Sequence, residues 1–299
     1  MTVATDIPRP PTPLLDRPAA PRPEPGGSRT ARMILYAILI VGLVLMIAPF
    51  VWMVLGAFKS QGEFLRLPPT WLPESPTLDN FTRLVDRLDM PRFFFNSIVV
   101  AVAVTVGNLI FAPMVGYALA KLPFTGKGAI MALVLATLML PGAATLIPLF
   151  VLMSALGLVN SYAALIVPFL AGPFGVFLTR QFFVGLPDEL IEAARMDGAS
   201  EFRIFAQIAM PLAGPVLATL GILVFLGTWN AFIYPLVMAQ EPEMYTLPVA
   251  LATFATGQFQ ADHGMLMAGS ILLILPVLVL FVLLQRWITE GIATTGLKG

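Results

Sequence analysis

Charged residues in this chain fall almost entirely between stretches long enough to cross a bilayer. No Lys, Arg, Asp or Glu occurs in residues 33–58, 93–120, 128–179, 204–240 or 264–285. A helix needs roughly 20 apolar residues to cross the hydrocarbon core. At about 1.5 Å per residue, one helix over 128–179 would far overshoot the bilayer, so that stretch is a hairpin of two spans. The chain therefore reads as an all-α polytopic membrane protein with six transmembrane helices. Their approximate bounds are 33–58, 94–120, 129–153, 162–183, 213–239 and 264–287.

Composition closes several other routes. The chain is 58% hydrophobic and 11% charged, against about 45–50% and about 25% in soluble domains, which leaves no material for a second soluble domain. It has no cysteine, so disulfides and thiolate metal sites are not available. The single His263 stands beside Asp262 in a loop with no second histidine to complete a metal site, and no metal is expected. The formal net charge of zero gives no footprint for nucleic acid.

Residues 1–32 differ from the rest. They hold Pro8, Pro10, Pro11, Pro13, Pro18, Pro21, Pro23 and Pro25 together with five arginines. Such a segment buries no apolar surface and reads as a disordered Pro/Arg-rich cytoplasmic tail, with 33–299 forming the six-span domain. The apolar run at 33–58 is about twice the 7–15 residues of a signal-peptide core, so it reads as a retained first span. Six spans put both termini on one side. That side carries 12 of the 17 basic residues, including Lys121, Lys127, Arg180, Arg195 and Arg203. Positive charge collects on the cytoplasmic face, which puts both termini and those loops inside the cell.

The outer loop 59–92 opens with Pro68-Pro69-Thr70-Trp71-Leu72-Pro73 and then spaces Leu78, Phe81, Leu84, Val85 and Leu88 as a short helix, with Thr77 as its N-cap. That helix either packs on the bundle or docks an outer partner. Pro113, Pro141, Pro148, Pro168, Pro173 and Pro276 interrupt the spans, with Gly142 and Gly172 beside two of them. Broken backbone in lipid is tolerated where it is packed in protein or lines a wet cavity. The methionines and phenylalanines read as packing and lipid contact. No ionisable side chain sits in the middle of any span, which argues against proton coupling but leaves sodium coupling through backbone carbonyls open. Gly126-Lys127-Gly128 lacks the upstream glycine and the hydroxyl residue of a phosphate-cradling loop. Uphill transport would need energy from another polypeptide.

The longest inner loop has the features of a helical knob, coupling loop about 184–211. Leu186-Pro187 opens a helix, Asp188 and Glu189 fill its first turn, and Gly198 ends it. Leu190, Ile191 and Ala194 form its apolar stripe. Ser200 caps a second helix through Phe202, Phe205 and Ile208 to Pro211.

Glu192-Ala193-Ala194, three residues, Gly198, nine residues, Ile208, one residue and Met210-Pro211 resemble the EAA motif of binding-protein-dependent ABC importer permeases. Met210 stands where leucine is usual. The loop around it, with Thr77-Leu78-Asp79-Asn80-Phe81, Asn96-Ser97, Tyr117-Ala118-Leu119-Ala120, Thr228-Trp229-Asn230, Tyr245-Thr246-Leu247-Pro248 and the ending Gly296-Leu297-Lys298-Gly299, is similar to the carbohydrate-uptake, maltose-transporter second-permease branch. The resemblance runs over about 33–299 and implies the six-span type I ABC importer permease fold in a bacterial inner membrane. It also implies a second homologous permease, a cytoplasmic ABC ATPase dimer and an extracytoplasmic solute-binding protein as partners. ATP would be bound by the ATPase and no cofactor by this chain, which would not itself be an enzyme. The same resemblance makes 184–211 the ATPase-coupling loop. Glu192 would be its main polar contact, Ala193 and Ala194 would allow close approach, and Asp197 and Gly198 would shape its turn. It further implies that residues 294–299 reach the ATPase.

A pathway without charge suits a neutral, hydroxyl-rich solute such as a sugar. Sugar sites combine flat aromatics with amides and hydroxyls in an otherwise apolar pocket. Thr228, Trp229, Asn230, Phe232 and Tyr234 supply that mixture in the fifth span, with Trp229 and Phe232 at i, i+3 and Asn230 and Tyr234 at i, i+4. The competing reading makes Trp229 and Tyr234 an interfacial aromatic belt. Asn108 and Thr105 are secondary candidates. Rival functions are an ABC permease for a polyol, glycerol phosphate or osmolyte, a sodium-coupled secondary carrier, and an embedded assembly or receptor protein without transport.

Overall fold

The computed structural model describes the backbone of residues 29–256 and 262–296, and side chains over 29–253 and 262–282. The tail expected over 1–32 thus lies, apart from its last four residues, outside the described residues, as do residues 297–299. The chain divides into two compact units, Met1–Val51 and Trp52–Gly299. Helix α1 (Arg29–Ala57) supplies the described part of the first and continues into the second. It starts four residues earlier than its charge-free run, because Arg29 and Arg32 extend the helix without entering the apolar stretch.

Every described regular element is helical. After α1 come α2 (Gln61–Phe64), α3 (Asp79–Arg87), α4 (Met90–Lys121), α5 (Lys127–Met139), α6 (Gly142–Ala155), α7 (Tyr162–Ile166), α8 (Pro173–Val184), α9 (Asp188–Met196), α10 (Glu201–Ile204), α11 (Met210–Leu212), α12 (Gly214–Trp229), α13 (Ile233–Met238), α14 (Leu247–Thr256) and α15 (His263–Gly296).

Within the second unit, contacts sort the loops to opposite ends of the 32-residue α4. At its N-terminal end Arg92 Nε donates to Glu243 O at 3.0 Å. There too Asn160 Nδ2 donates to Glu241 Oε2 at 2.9 Å, and Arg83 pairs with Asp262. At its C-terminal end Lys121 Nζ reaches Asp188 Oδ1 at 2.6 Å. Loops 59–92 and 157–161 gather at one end with Glu241, Glu243 and Asp262, and 121–127 and 184–203 at the other. That alternation is what a hairpin over 128–179 and six crossings require.

Two helix pairs are sharply bent rather than straight. α5 and α6 meet at 107°, and the segment from Glu201 to Leu212 meets α12 at 79°. Proline explains the first. Pro141 has no N–H to donate and pushes Leu140 into the extended region, ψ 127°. The fourth crossing is broken too, by a 3₁₀ turn at Val167–Phe169 and an extended Gly172 before Pro173. The fifth crossing, expected as one helix over 213–239, ends at Trp229 and resumes only at Ile233. Pro235 cannot donate to Ala231 O, and the Asn230 side chain turns back onto Leu226 O at 2.9 Å. Pro113, Pro148 and Pro276, by contrast, lie inside continuous helices.

α3 packs on the bundle, the first of its two readings. Leu84 and Leu88 are buried, and buried Asn80 donates to Ala57 O at 2.7 Å and Lys59 O at 2.8 Å. Its cap is Leu78, one residue beyond the expected Thr77, whose hydroxyl instead accepts from Asp79 N at 3.1 Å. α14 fills what reads in the sequence as loop, burying Leu247, Val249 and Ala250.

α4 and α8 pack closely against each other. A Cβ on Gly116 would run into Thr179 Oγ1 and stand 2.8 Å from Arg180 N, and one on Gly175 would stand 2.9 Å from the Ala112 Cβ. Small residues let membrane helices approach to backbone contact. Gly116→Val is expected to force the pair apart at a cost of about 1–3 kcal/mol, read as a lower thermal midpoint of the detergent-solubilised protein, while Gly42→Val, with open space around it, leaves the midpoint in place.

Candidate functional site

The knob forms as its sequence dictates. α9 begins right after Pro187, with Asp188 and Glu189 in its first turn. It ends in a turn where Gly198 takes φ +78° and Ala199 N donates to Ala194 O at 3.0 Å. A residue with a Cβ pays for that left-handed geometry, so glycine belongs there. Ser200 Oγ accepts from Arg203 N at 3.4 Å and starts α10. A five-residue π segment, Phe205–Ala209, and α11 carry the chain to α12.

The inner face of the knob is glued to the bundle. Ile191, Ala194, Ile204 and Phe205 are buried with Tyr117 and Phe183. The Tyr117 ring meets Phe183 edge-on at 5.6 Å and Phe205 at 5.4 Å. Polar brackets close the edges. Lys121 Nζ donates to Leu186 O at 2.7 Å, Arg195 Nε to Glu201 Oε1 at 2.6 Å, and Tyr117 OH to Glu201 Oε2 at 3.4 Å. The hydrogen bond and charge of Lys121 hold the Asp188 carboxyl below its ordinary range, and the hydrogen bond from Arg195 to Glu201 raises the guanidinium further. The outer face shows Glu192, Ala193, Asp197 and Gly198 to solvent, flanked by Met196 at 88% and Phe202 at 68% exposure. The outward face thus sets a carboxylate among exposed apolar side chains.

A second feature lies where two broken crossings meet α4. A cavity of about 320 Å³ is walled by Val100, Val104 and Asn108 of α4. Its other walls are Phe169 and residues 172–175 at the break before α8, and Gly227, Thr228, Ala231, Tyr234 and Pro235 at the break after α12. None of the lining residues is ionisable at neutral pH. Asn108 ties the break together, with Nδ2 donating to Phe169 O at 2.5 Å and Oδ1 accepting from Gly172 N at 2.9 Å. Tyr234 OH donates to Ala164 O at 2.8 Å. Discontinuous helices around a midspan cavity are how membrane transporters place a passage without exposing raw backbone to lipid.

Comparison with known proteins decides what such an assembly is. The family described as binding-protein-dependent transport system inner membrane component matches residues 112–294. The chain belongs to that family. It is 40% identical over 254 residues to the arabinooligosaccharides transport system permease protein AraQ of Halalkalibacterium halodurans, covering 84% of this chain and 91% of that relative. It is 38% identical over 259 residues to the protein of the same name from Bacillus subtilis strain 168, covering 86% and 92%. The solved structure of a bacterial ABC transporter involved in the import of the acidic polysaccharide alginate superposes with a TM-score of 0.78 at 24% identity, covering 88% of this chain and 99% of that one. The type I ABC importer permease fold is thus the fold of this permease, a multi-pass inner-membrane protein that works with other transporter components.

The permease separates its candidate residues. Glu192, Ala193, Asp197 and Gly198 are presented outward. Ala194 is not: at 8% exposure it packs inward, and its small size serves the fit onto the bundle rather than the approach of a partner. Leu190, assigned to the apolar stripe, is 46% exposed, because only Ile191 and Ala194 share the inward face three residues apart. Of the pathway set, Thr228 and Tyr234 line the cavity and Asn108 joins them. Trp229 is buried elsewhere, its Nε1 donating to Leu273 O at 2.9 Å and its ring stacked on Phe225 at 5.9 Å. Asn230 is an exposed helix-end residue and Phe232 is half-buried outside the cavity wall, so the i, i+3 and i, i+4 pairings do not form on one helix. Thr105 returns its hydroxyl to Ala101 O at 2.6 Å. Met196 and Glu201 are additions that the sequence did not single out, while Tyr117 stood within Tyr117-Ala118-Leu119-Ala120 and Lys121 among the basic residues of its side. Phe202, read along the second helix with Phe205 and Ile208, is exposed where Phe205 is buried.

Proposed function

We propose that this chain is the permease subunit of a sugar or oligosaccharide importer, moved by a separate ATPase. The observation that carries the reading is the knob, a rigid α9–α10 unit with Glu192 and two large apolar side chains facing out and every inward contact made to the bundle. It is built to be gripped. In this reading the knob faces the cytoplasm, where basic loops collect, and sits in a groove on one subunit of an ATPase dimer. A second, homologous permease completes the passage and an extracytoplasmic binding protein delivers solute. ATP stays on the ATPase, and this chain contributes motion rather than chemistry. ATP binding closes the ATPase dimer, drives the knobs and opens the passage outward; hydrolysis resets it.

The sugar class is supported by the names of the relatives and by the cavity. Uncharged Asn108, Thr228 and Tyr234 in apolar walls suit a neutral polyhydroxylated solute, and a phosphorylated one would call for a cation that the lining does not contain. Thr228 and Tyr234 carry the pathway assignment in this reading, with Trp229 a packing residue behind them. The complete importer in proteoliposomes tests it. Binding protein loaded with an arabinooligosaccharide is expected to stimulate ATP hydrolysis, and binding protein offered glycerol 3-phosphate is not. Stimulation by the phosphate alone would overturn the substrate class.

A further inference from the structure

The knob is fastened to α4 and α8, and α4 also walls the cavity. The Lys121 ammonium, at the C-terminal end of α4, is bonded to Leu186 O at 2.7 Å and Asp188 Oδ1 at 2.6 Å. Its side chain is only 6% exposed, whereas that of Asp188 is 76% exposed. A lysine at a membrane boundary ordinarily extends its ammonium into water. Here it is drawn under the knob instead. It binds a carbonyl just past the end of α8 and a carboxylate in the first turn of α9, both places where a helix end favours the charge it is given. One atom therefore joins the ends of α4 and α8 to the start of α9.

The chain itself makes no such connection. α8 and α9 are joined by Gly185, Leu186 and Pro187 alone, and α9 and α10 by the left-handed Gly198 turn. Without the ammonium, the start of α9 loses its polar tie to α4, and what remains is the apolar packing of Ile191 and Ala194 on Tyr117 and Phe183 and the Arg195–Glu201–Tyr117 bracket near its far end. With it, displacement of α9 moves α4, a continuous helix from Met90 to Lys121. Gly107 and Gly116 press that helix against the α8 segment with no room for a Cβ, and Asn108 spans the break at Phe169 and Gly172 beside the cavity.

We propose that Lys121 is a positioning residue that transmits movement of the α9 knob to the cavity wall along α4. The proposal rests on the coupling reading of the knob and adds the route by which the knob acts. Lys121 touches neither solute nor nucleotide.

The absence of cysteine allows a clean labelled pair in the assembled importer, Glu189→Cys on α9 and Ile110→Cys on an exposed side of α4. In the otherwise native chain the spin–spin distance is expected to stay a single narrow population with and without ATP and vanadate, because α9 and α4 move as one. In Lys121→Met it is expected to broaden and shift by several ångströms on nucleotide trapping. The amount of solute imported per ATP is expected to fall several-fold, using whichever solute stimulates hydrolysis in the reconstitution above. Lys121→Arg, whose guanidinium still offers donors to both oxygens, is expected to restore both readouts. A lysine needed only for folding would lower the yield of assembled complex and leave solute per ATP unchanged in what assembles; that outcome, or a narrow unshifted distance in Lys121→Met, overturns the proposal. Glu192→Ala separates the two levels. If it leaves uptake intact, the coupling reading falls and takes the Lys121 route with it. If it abolishes uptake while Lys121→Met keeps its coupling, only the route falls.

Discussion

Glu192→Ala is expected to reduce ATP-driven uptake by roughly 30-fold or more, the consequence of losing about 2 kcal/mol or more from a charged contact buried against a partner. The structure makes this a sharp experiment because the residue is nearly idle within its own chain. Its side chain is on the exposed face of α9, away from Ile191 and Ala194, which fix that helix to the bundle. Alanine is the best helix former, so α9 should keep its fold and the thermal midpoint should not move. The expected outcome is thus a permease that assembles and folds but does not respond to ATP. Glu192→Gln keeps the shape and loses the charge, and is expected to fall between the two. Uptake at the native level in Glu192→Ala would mean that the α9 surface is not where force enters.

Met196 and Phe202 sharpen the same point. Their exposure of 88% and 68% would be a liability on an idle loop, and under the proposed function a groove that covers them would gain apolar burial that Glu192 then orients. Replacing both with serine weakens the grip without touching the carboxylate.

What could be read from the sequence follows the strength of the local signals. Charge-free runs locate crossings because any ionised side chain in hydrocarbon is costly, and the loops gather at the expected ends. The knob was legible almost residue by residue, since Pro187, Gly198 and Ser200 each act on the backbone within one turn of themselves. Proline in the spans was not. Pro141, Pro168 and Pro235 mark breaks, while Pro113, Pro148 and Pro276 ride inside helices, and the difference lies in what neighbouring helices offer to the freed backbone. Trp229 shows the same limit. Its type suited a sugar platform, but Leu273 O, the stacked ring of Phe225 one turn earlier and the near-perpendicular ring of Phe94 claim it, and Leu273 and Phe94 are distant in sequence. Asn96 and Ser97, which in the sequence carry only the family resemblance, tie α4 to the 243–247 segment, with Asn96 Nδ2 on Glu243 O and Tyr245 O at 2.9 Å and Ser97 Oγ accepting from Leu247 N at 2.7 Å.

Asn108→Leu is expected to destabilise the permease by about 2–6 kcal/mol, far more than its modest change in volume. The side chain is 2% exposed and supplies what a continuous fourth crossing would supply for itself, a donor to Phe169 O and an acceptor for Gly172 N. Leucine removes both at once. Each orphaned backbone group buried away from water costs about 1–3 kcal/mol, and neither lipid nor the apolar cavity wall offers a replacement. Asn108→Asp keeps an acceptor for Gly172 N but can meet Phe169 O only while its carboxyl holds a proton, so it is expected to lose less than leucine at low pH and to approach leucine as the pH rises. Thermal unfolding of the two variants across that range separates a hydrogen-bond bridge from a space-filling role. If leucine matched asparagine in midpoint, the broken crossing would have to be held by packing against Gly107 and Gly175 alone, and Asn108 would lose its place as the residue that lets an interrupted helix border a cavity in the membrane.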